Sequence, residues 1–165
     1  MIITASLVIM MLVLFVLVFL FVKTIDERKW LSILVSLAIT PFVYFYALYP
    51  MINIFTNYHH QKYFTTERWH DNPALRYEIS DNMIASKILM GKSKKEIQAL
   101  LGKPEWLSWN DSLKAPDKNK WNYAMGIEPG ALNEDKECIE IIFKKESVTE
   151  LKQYQEQLKF DGTEQ

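Results

Sequence analysis

Between Met1 and Lys23 the chain has no charged side chain, and from Leu7 to Val22 every residue is apolar. The 21 uncharged residues 2–22, at about 1.5 Å per residue, cover the ~30 Å hydrocarbon core of a bilayer. This run predicts a membrane-spanning helix over about 2–22. A cleaved signal peptide fits less well. There is no basic stretch ahead of the run, the run is too long, and no small-x-small cleavage site precedes Lys23.

A short charged hinge follows, Lys23-Thr-Ile-Asp-Glu-Arg-Lys29, and then a second apolar stretch from Trp30 to about Phe55. Trp30 at one end and Tyr44, Tyr46 and Tyr49 toward the other match the aromatic girdles of the two membrane interfaces. Pro41 removes a hydrogen bond to the carbonyl of Leu37 and predicts a kink. Ser32, Ser36 and Thr40 recur every four residues on one face. Small polar residues at that spacing let two helices approach and hydrogen-bond. The first span is the expected partner, giving a helical hairpin; a homo-oligomer is the alternative. Neither span has a charged residue in its interior, which speaks against a transporter or a charged-substrate channel.

Lys23, Arg28 and Lys29 lie in the hinge, whereas no Lys or Arg precedes the first span. The positive-inside rule places the hinge in the cytoplasm and both chain ends outside. The expected location is the bacterial cytoplasmic (inner) membrane, multi-pass, with the C-terminal part periplasmic or extracellular.

The whole-chain mean hydropathy of -0.08 averages two unlike materials. Residues 1–57 hold 41 apolar residues and 5 charges, whereas residues 58–165 hold 40 apolar residues and 34 charges. The predicted organisation is a membrane anchor over 1–57, an interfacial linker over 58–70 and one small soluble domain over 71–165. The split excludes a single soluble globule, a disordered chain and a polytopic transporter. Residues 58–165 carry 16 Lys and Arg against 18 Asp and Glu, so a basic face for nucleic acid is not expected. Cys138 is the only cysteine, so no intrachain disulfide exists.

In the polar half, Asn72-Pro73 reads as an N-cap and first helical residue. The predicted helix runs over about 73–90, with Leu75, Ile79, Met83 and Met90 on one stripe and Ile84 and Ile88 opposite. Ser86 falls in the same stripe and can be tolerated there if its hydroxyl bonds a carbonyl one turn back. The second apolar side implies covering by another helix or a partner. Gly91 suits the C-terminal cap. Ser93 and Glu96 form a capping box that opens a short helix, and Gly102 with Pro104 stops it. Strands are predicted at 106–109, 120–125, 138–143 and 148–154, with polar turns at 110–119 and 126–137. The last piece, 148–160, is open between strand and helix. The fold class is therefore α+β: two helices packed on a 3–4-stranded antiparallel sheet, behind two transmembrane helices.

The stretch Met90-Gly-Lys-Ser-Lys-Lys-Glu-Ile-Gln-Ala-Leu-Leu-Gly-Lys-Pro-Glu105 is followed by Trp121, Tyr123, Met125 and Gly126, then by Ile139, Ile141 and Phe143. This order resembles the small outer-membrane-assembly lipoprotein superfamily (SmpA/OmlA type), related in fold to β-lactamase-inhibitor proteins. It is also similar to bacterial proteins with a Trp-x(6)-Arg pattern, here Trp69 and Arg76. The resemblance covers roughly residues 67–155. It implies a helix pair on an antiparallel sheet, at a bacterial envelope, binding other proteins or lipid. The chain differs in having two apolar spans in place of a lipidated N-terminal cysteine.

No set of residues has the spacing of a catalytic or metal centre. His59-His60 lacks the Cys or HxxxH partners of a zinc site. Cys138 sits in an apolar strand, where a structural thiol is expected. Glu67 with Asp71, and Glu134, Asp135 and Glu137, read as solvated loop charge. Arg76 is expected to pair with Glu78 or Asp81. No catalytic residue, metal or cofactor is assigned. The candidate partner or ligand surface is Trp106, Trp109 and Trp121 with Ile84 and Ile88. The expected partners are the lipid bilayer and a protein in the envelope. The reading is an envelope interaction or assembly module. The alternative is a membrane-bound ligand sensor or hydrolase using the Trp-rich surface, and a weaker third is a toxin-immunity or envelope-stress protein.

Overall fold

The first apolar run forms helix α1, Ala5–Lys23, opened by Thr4, whose hydroxyl accepts the Leu7 amide at 3.3 Å. After the hinge, α2 (Lys29–Val43) runs on through a π-helical turn (Tyr44–Leu48) into α3 (Tyr49–Ile52). The computed structural model describes residues 1–157. Within them, the rods Ala5–Lys23 and Lys29–Ile52 are long and apolar enough to cross a membrane.

The helix continues through Pro41. The irregularity comes after it, where the Tyr49 amide bonds back to the Tyr44 carbonyl in an i→i+5 pattern ahead of Pro50. A prolyl residue has no N–H, and a π turn is one way to re-route the ladder around that loss.

Ser32, Ser36 and Thr40 are buried on the face of α2 toward α1. Their hydroxyls bond nearby backbone: Ser32 donates to the hinge carbonyls of Asp26 at 3.0 Å and Arg28 at 3.2 Å. Ser36 donates to the Ser32 carbonyl at 2.6 Å and Thr40 to the Ser36 carbonyl at 2.7 Å. The stripe thus acts through smallness, and the expected bonds between helices are not what satisfies it. Tyr44, expected in an aromatic girdle, is instead fully buried with Leu7 and Leu14.

The chain divides into two compact units, and residues 129–132 group with Ile2–Tyr58 while His59–Glu128 and the residues from Asn133 form the other. The second unit is α+β. Thr65 caps α4 (Thr66–Asp71), accepting the Arg68 amide at 3.3 Å. Residues 66–70, read above as linker, are therefore helical, and Trp69 is fully buried in the core. A 3-10 turn (Pro73–Leu75) leads to α5 (Tyr77–Ala85).

The predicted helix over 73–90 is thus broken at both ends. Asn72 contributes its backbone carbonyl to the Leu75 amide, with no side-chain cap. Lys87 takes φ +53° and ends the helical path, so Leu89, not Met90, turns into the core. Leu75 and Met90 are exposed, and Gly91 (φ +75°) closes a series of turns in place of a helix. Ser86 is also exposed, though its hydroxyl does bond back to the Met83 carbonyl at 3.2 Å.

Helix α6 (Lys94–Leu101) opens on the Ser93–Glu96 capping box. It ends at Gly102, whose φ of +85° and ψ of −172° lie in a region essentially reserved for glycine.

The sheet is an antiparallel meander in the order β1-β2-β3-β4, formed by Trp106–Asn110, Ala115–Ile127, Asp135–Lys144 and Ser147–Gln157. β2 and β3 extend into the polar stretches assigned to turns, because antiparallel pairing with a neighbour satisfies their backbone whatever the side chains. The 148–160 segment is strand through Gln157, and its last three residues lie outside the described residues.

Trp69, Ile79, Met83, Leu89, Ile97 and Leu101 pack on Tyr123, Met125, Ile139, Ile141, Phe143 and Val148. Fully burying one such side chain contributes about 1.5–3 kcal/mol. At the far end of β2 a bulge falls at Gly126 (φ +95°), where a Cβ would stand 2.0 Å from the Ala74 carbonyl oxygen. Only glycine lets the 3-10 turn lie against the strand there.

Candidate functional site

Side chains alternate along a strand, so each strand of the meander presents two surfaces. On β2, Tyr123 and Met125 turn to the helices. Asn122 lies between the core-facing Trp121 and Tyr123 in sequence and turns the other way. The register then defines the opposite face: Trp106 pairs with Asn122, Asn122 with Glu140, Glu140 with Lys152, and Cys138 with Tyr154. None of these residues belongs to the core that the helices cover.

A continuous hydrogen-bond chain floors this face. The Tyr154 hydroxyl donates to Asn122 Oδ1 at 2.9 Å, and Asn122 Nδ2 donates to Ser108 Oγ at 2.9 Å. The Ser108 hydroxyl in turn donates to Glu140 Oε1. The chain thus links all four strands and terminates on a carboxylate, which needs no proton to accept. Asn122 is 1% exposed, yet both ends of its amide are satisfied. A fully paired buried network rigidifies a surface, whereas an unpaired group costs roughly 1–3 kcal/mol. Burial pushes the Tyr154 hydroxyl well above the usual phenol range, so it remains a donor. Burial likewise pushes the Cys138 thiol up to about 11.

Aromatic and charged groups rim the floor. Trp106 and Trp109 flank a concavity of about 550 Å³ together with Ser108, Asn122, Glu140 and Tyr154. Trp109 is 60% exposed. Lys136 Nζ stands 4.9 Å from the Trp106 ring centroid and 2.9 Å from Glu156. The Glu156 hydrogen bond raises the Lys136 pKa, keeping the ammonium charged. The face therefore presents two indole surfaces over a rigid polar floor with both signs of charge.

Two of the three expected tryptophans come together here. Trp121 does not: it lies toward the helices, its ring centroid 4.9 Å from that of Phe143. Ile84 packs against the same core, and Ile88 alone is exposed. The expected second apolar side of that helix is thus split, because the helix ends before Ile88.

Arg76 pairs with neither Glu78 nor Asp81. Its guanidinium lies 4.3 Å over the Trp69 ring, donates to the Trp69 carbonyl at 2.9 Å, and meets Glu105 at 2.7 Å. This explains the six-residue spacing. The 3-10 turn brings Arg76 back over the indole and ties α4 to the start of β1.

His59 sits 3.8 Å from Glu128 and edge-on to Tyr77. Burial lowers the pKa of His60 and raises that of Glu128. Among the described residues no group of three or more His, Cys, Asp or Glu is placed to hold a metal ion.

Sequence reasoning missed Ser108, Asn122, Glu140 and Tyr154. A signal was present: Asn122 and Glu140 are the polar members of the strand alternation, at the positions that face away from the core. No protein-family model, no curated protein and no solved structure matches this chain.

Proposed function

We propose that this protein is a membrane-anchored interaction module whose open sheet face binds a protein partner at the bacterial envelope. Helix α1 and the rod Lys29–Ile52 span the inner membrane as a hairpin. Lys23, Arg28 and Lys29 hold the hinge on the cytoplasmic side, and the domain stands outside. The resemblance to outer-membrane-assembly lipoproteins supports the same role.

The observation that carries the reading is the combination of exposed Trp109 and Trp106 with a fully paired polar floor. Tryptophan is enriched among the residues that dominate binding energy. A pre-ordered floor reduces the entropy lost on association. The pairing of Lys136 with Glu156 leaves no single-sign field, which disfavours nucleic acid.

A hydrolase would need an activated nucleophile. Ser108 does donate to a carboxylate, but its oxygen is occupied by the Asn122 amide, and the raised Cys138 pKa opposes thiolate formation.

Affinity capture of the full chain from membranes, wild type beside Trp109→Ala, tests the proposal. A stoichiometric protein that is lost with the variant supports it. A bound small molecule in native mass spectrometry with no protein partner favours the ligand-sensor alternative. A reporter fused after Gln165 that is active only in the cytoplasm overturns the topology.

A further inference from the structure

We infer that the loop between β2 and β3, residues 129–132, is a third membrane-contacting element that seats Leu132 in the lipid interface beside the end of the second span. The inference rests on the spanning reading above and extends it to a segment some eighty residues away in sequence.

A lone exposed leucine on a soluble surface needs no explanation. Leu132 differs in its place. It is 90% exposed, and its neighbour Ala131 donates its amide to the Asn53 carbonyl at 2.9 Å. Asn53 is the residue that ends the rod Lys29–Ile52. Residues 129–132 accordingly group with the helical unit and not with the strands they join.

The rod holds 24 residues, or about 36 Å at 1.5 Å per residue. That exceeds the ~30 Å hydrocarbon core, so Asn53 lies at interface depth. Around it, Met51 is 60%, Ile54 50% and Phe55 87% exposed. Leu132 therefore extends the same apolar surface that the span presents to lipid. The loop itself, Pro129-Gly-Ala-Leu132, carries no charge, and the exposed charge nearest in sequence is Glu134 on its far side. One occupant fits an uncharged apolar loop held at the end of a span: the boundary between acyl chains and headgroups.

The test uses the full chain with single cysteines in a Cys138→Ala background, each labelled with an environment-sensitive fluorophore. The labelled positions are Leu132→Cys, Leu17→Cys in the middle of α1, and Leu113→Cys in the turn between β1 and β2. Leu17 is 58% and Leu113 72% exposed, so none of the three labels disturbs packing. The protein is placed in phosphatidylcholine vesicles with and without nitroxide-bearing phosphatidylcholine.

The expected result is strong quenching at 17, blue-shifted emission with clear quenching at 132, and neither effect at 113. If 17 is quenched while 132 behaves like 113, the loop inference is overturned and the spans stand. If 17 is itself unquenched, the spanning reading fails and the loop inference falls with it.

Discussion

The two faces of the four-stranded sheet are written by the same residues taken alternately, yet they are stabilised by different physics. The helix side buries Tyr123, Met125, Ile139, Ile141 and Phe143 against Trp69, Ile79 and Met83. Its stability comes from removing apolar area from water and from close packing. The open side buries Asn122 in a hydrogen-bond chain through Tyr154, Ser108 and Glu140. The net gain from such a network is small, but losing one member leaves others unpaired. The contrast separates apolar residues that hold the fold from polar residues that order the open face.

The largest effects belong on the helix side. Trp69→Ala removes a fully buried indole, its bond to the Leu101 carbonyl at 3.0 Å and the Arg76 stack. A loss of about 3–5 kcal/mol is expected in denaturant unfolding of the full chain. Gly126→Ala drives a methyl into the Ala74 carbonyl from a positive φ, for a loss on the order of 3 kcal/mol. Values under about 1 kcal/mol for both would erase the contrast.

Asn122→Ala on the open side is expected to cost roughly 1–3 kcal/mol, because the Tyr154 and Ser108 hydroxyls lose a buried partner. Chemical denaturation measures it, and Tyr154→Phe should recover part of the loss by removing one stranded group.

A smaller effect comes with alkaline pH. The folded Cys138 thiol is pushed up to about 11, while an unfolded thiol titrates near 8.5. Between those values the folded state holds a proton that the unfolded state has released. Stability present below about pH 8.5 therefore falls as pH rises toward 11. Denaturation midpoints across that window should fall less steeply for Cys138→Ala.

The smallest stability change is predicted for Trp109→Ala, within about 0.5 kcal/mol because the side chain is mostly exposed. The same variant should abolish partner capture. Stability and binding thus move in opposite order across the two faces.

Much of this was legible in the sequence because local chemistry dictates it. The uncharged run to Val22, the Ser93–Glu96 box and the stop at Gly102 each act within a few residues, and each appears where expected. The β-strand cores at 120–125 and 138–143 were readable for the same reason.

What failed depended on partners far along the chain. The α5 helix was drawn too long because Lys87 takes a left-handed conformation that no propensity would assign to lysine. Trp69 was left in a linker because its burial needs Leu101 and Tyr123, more than thirty residues away. The alternation marked Asn122 and Glu140 as facing away from the core, but their link to Ser108 and Tyr154 forms only once four strands are in register. Ser32, Ser36 and Thr40 were correctly placed on one face, but their hydroxyls found their own backbone first.

The most direct test of the binding face is site-specific photo-crosslinking in intact cells. A photoreactive residue replaces Trp109 on the rim of the open face, and a second version replaces Leu113 in the adjoining turn. A discrete protein adduct from position 109 that is absent from position 113 is the predicted result. No adduct at 109, or the same adducts from both positions, contradicts the assignment of this face as the docking surface.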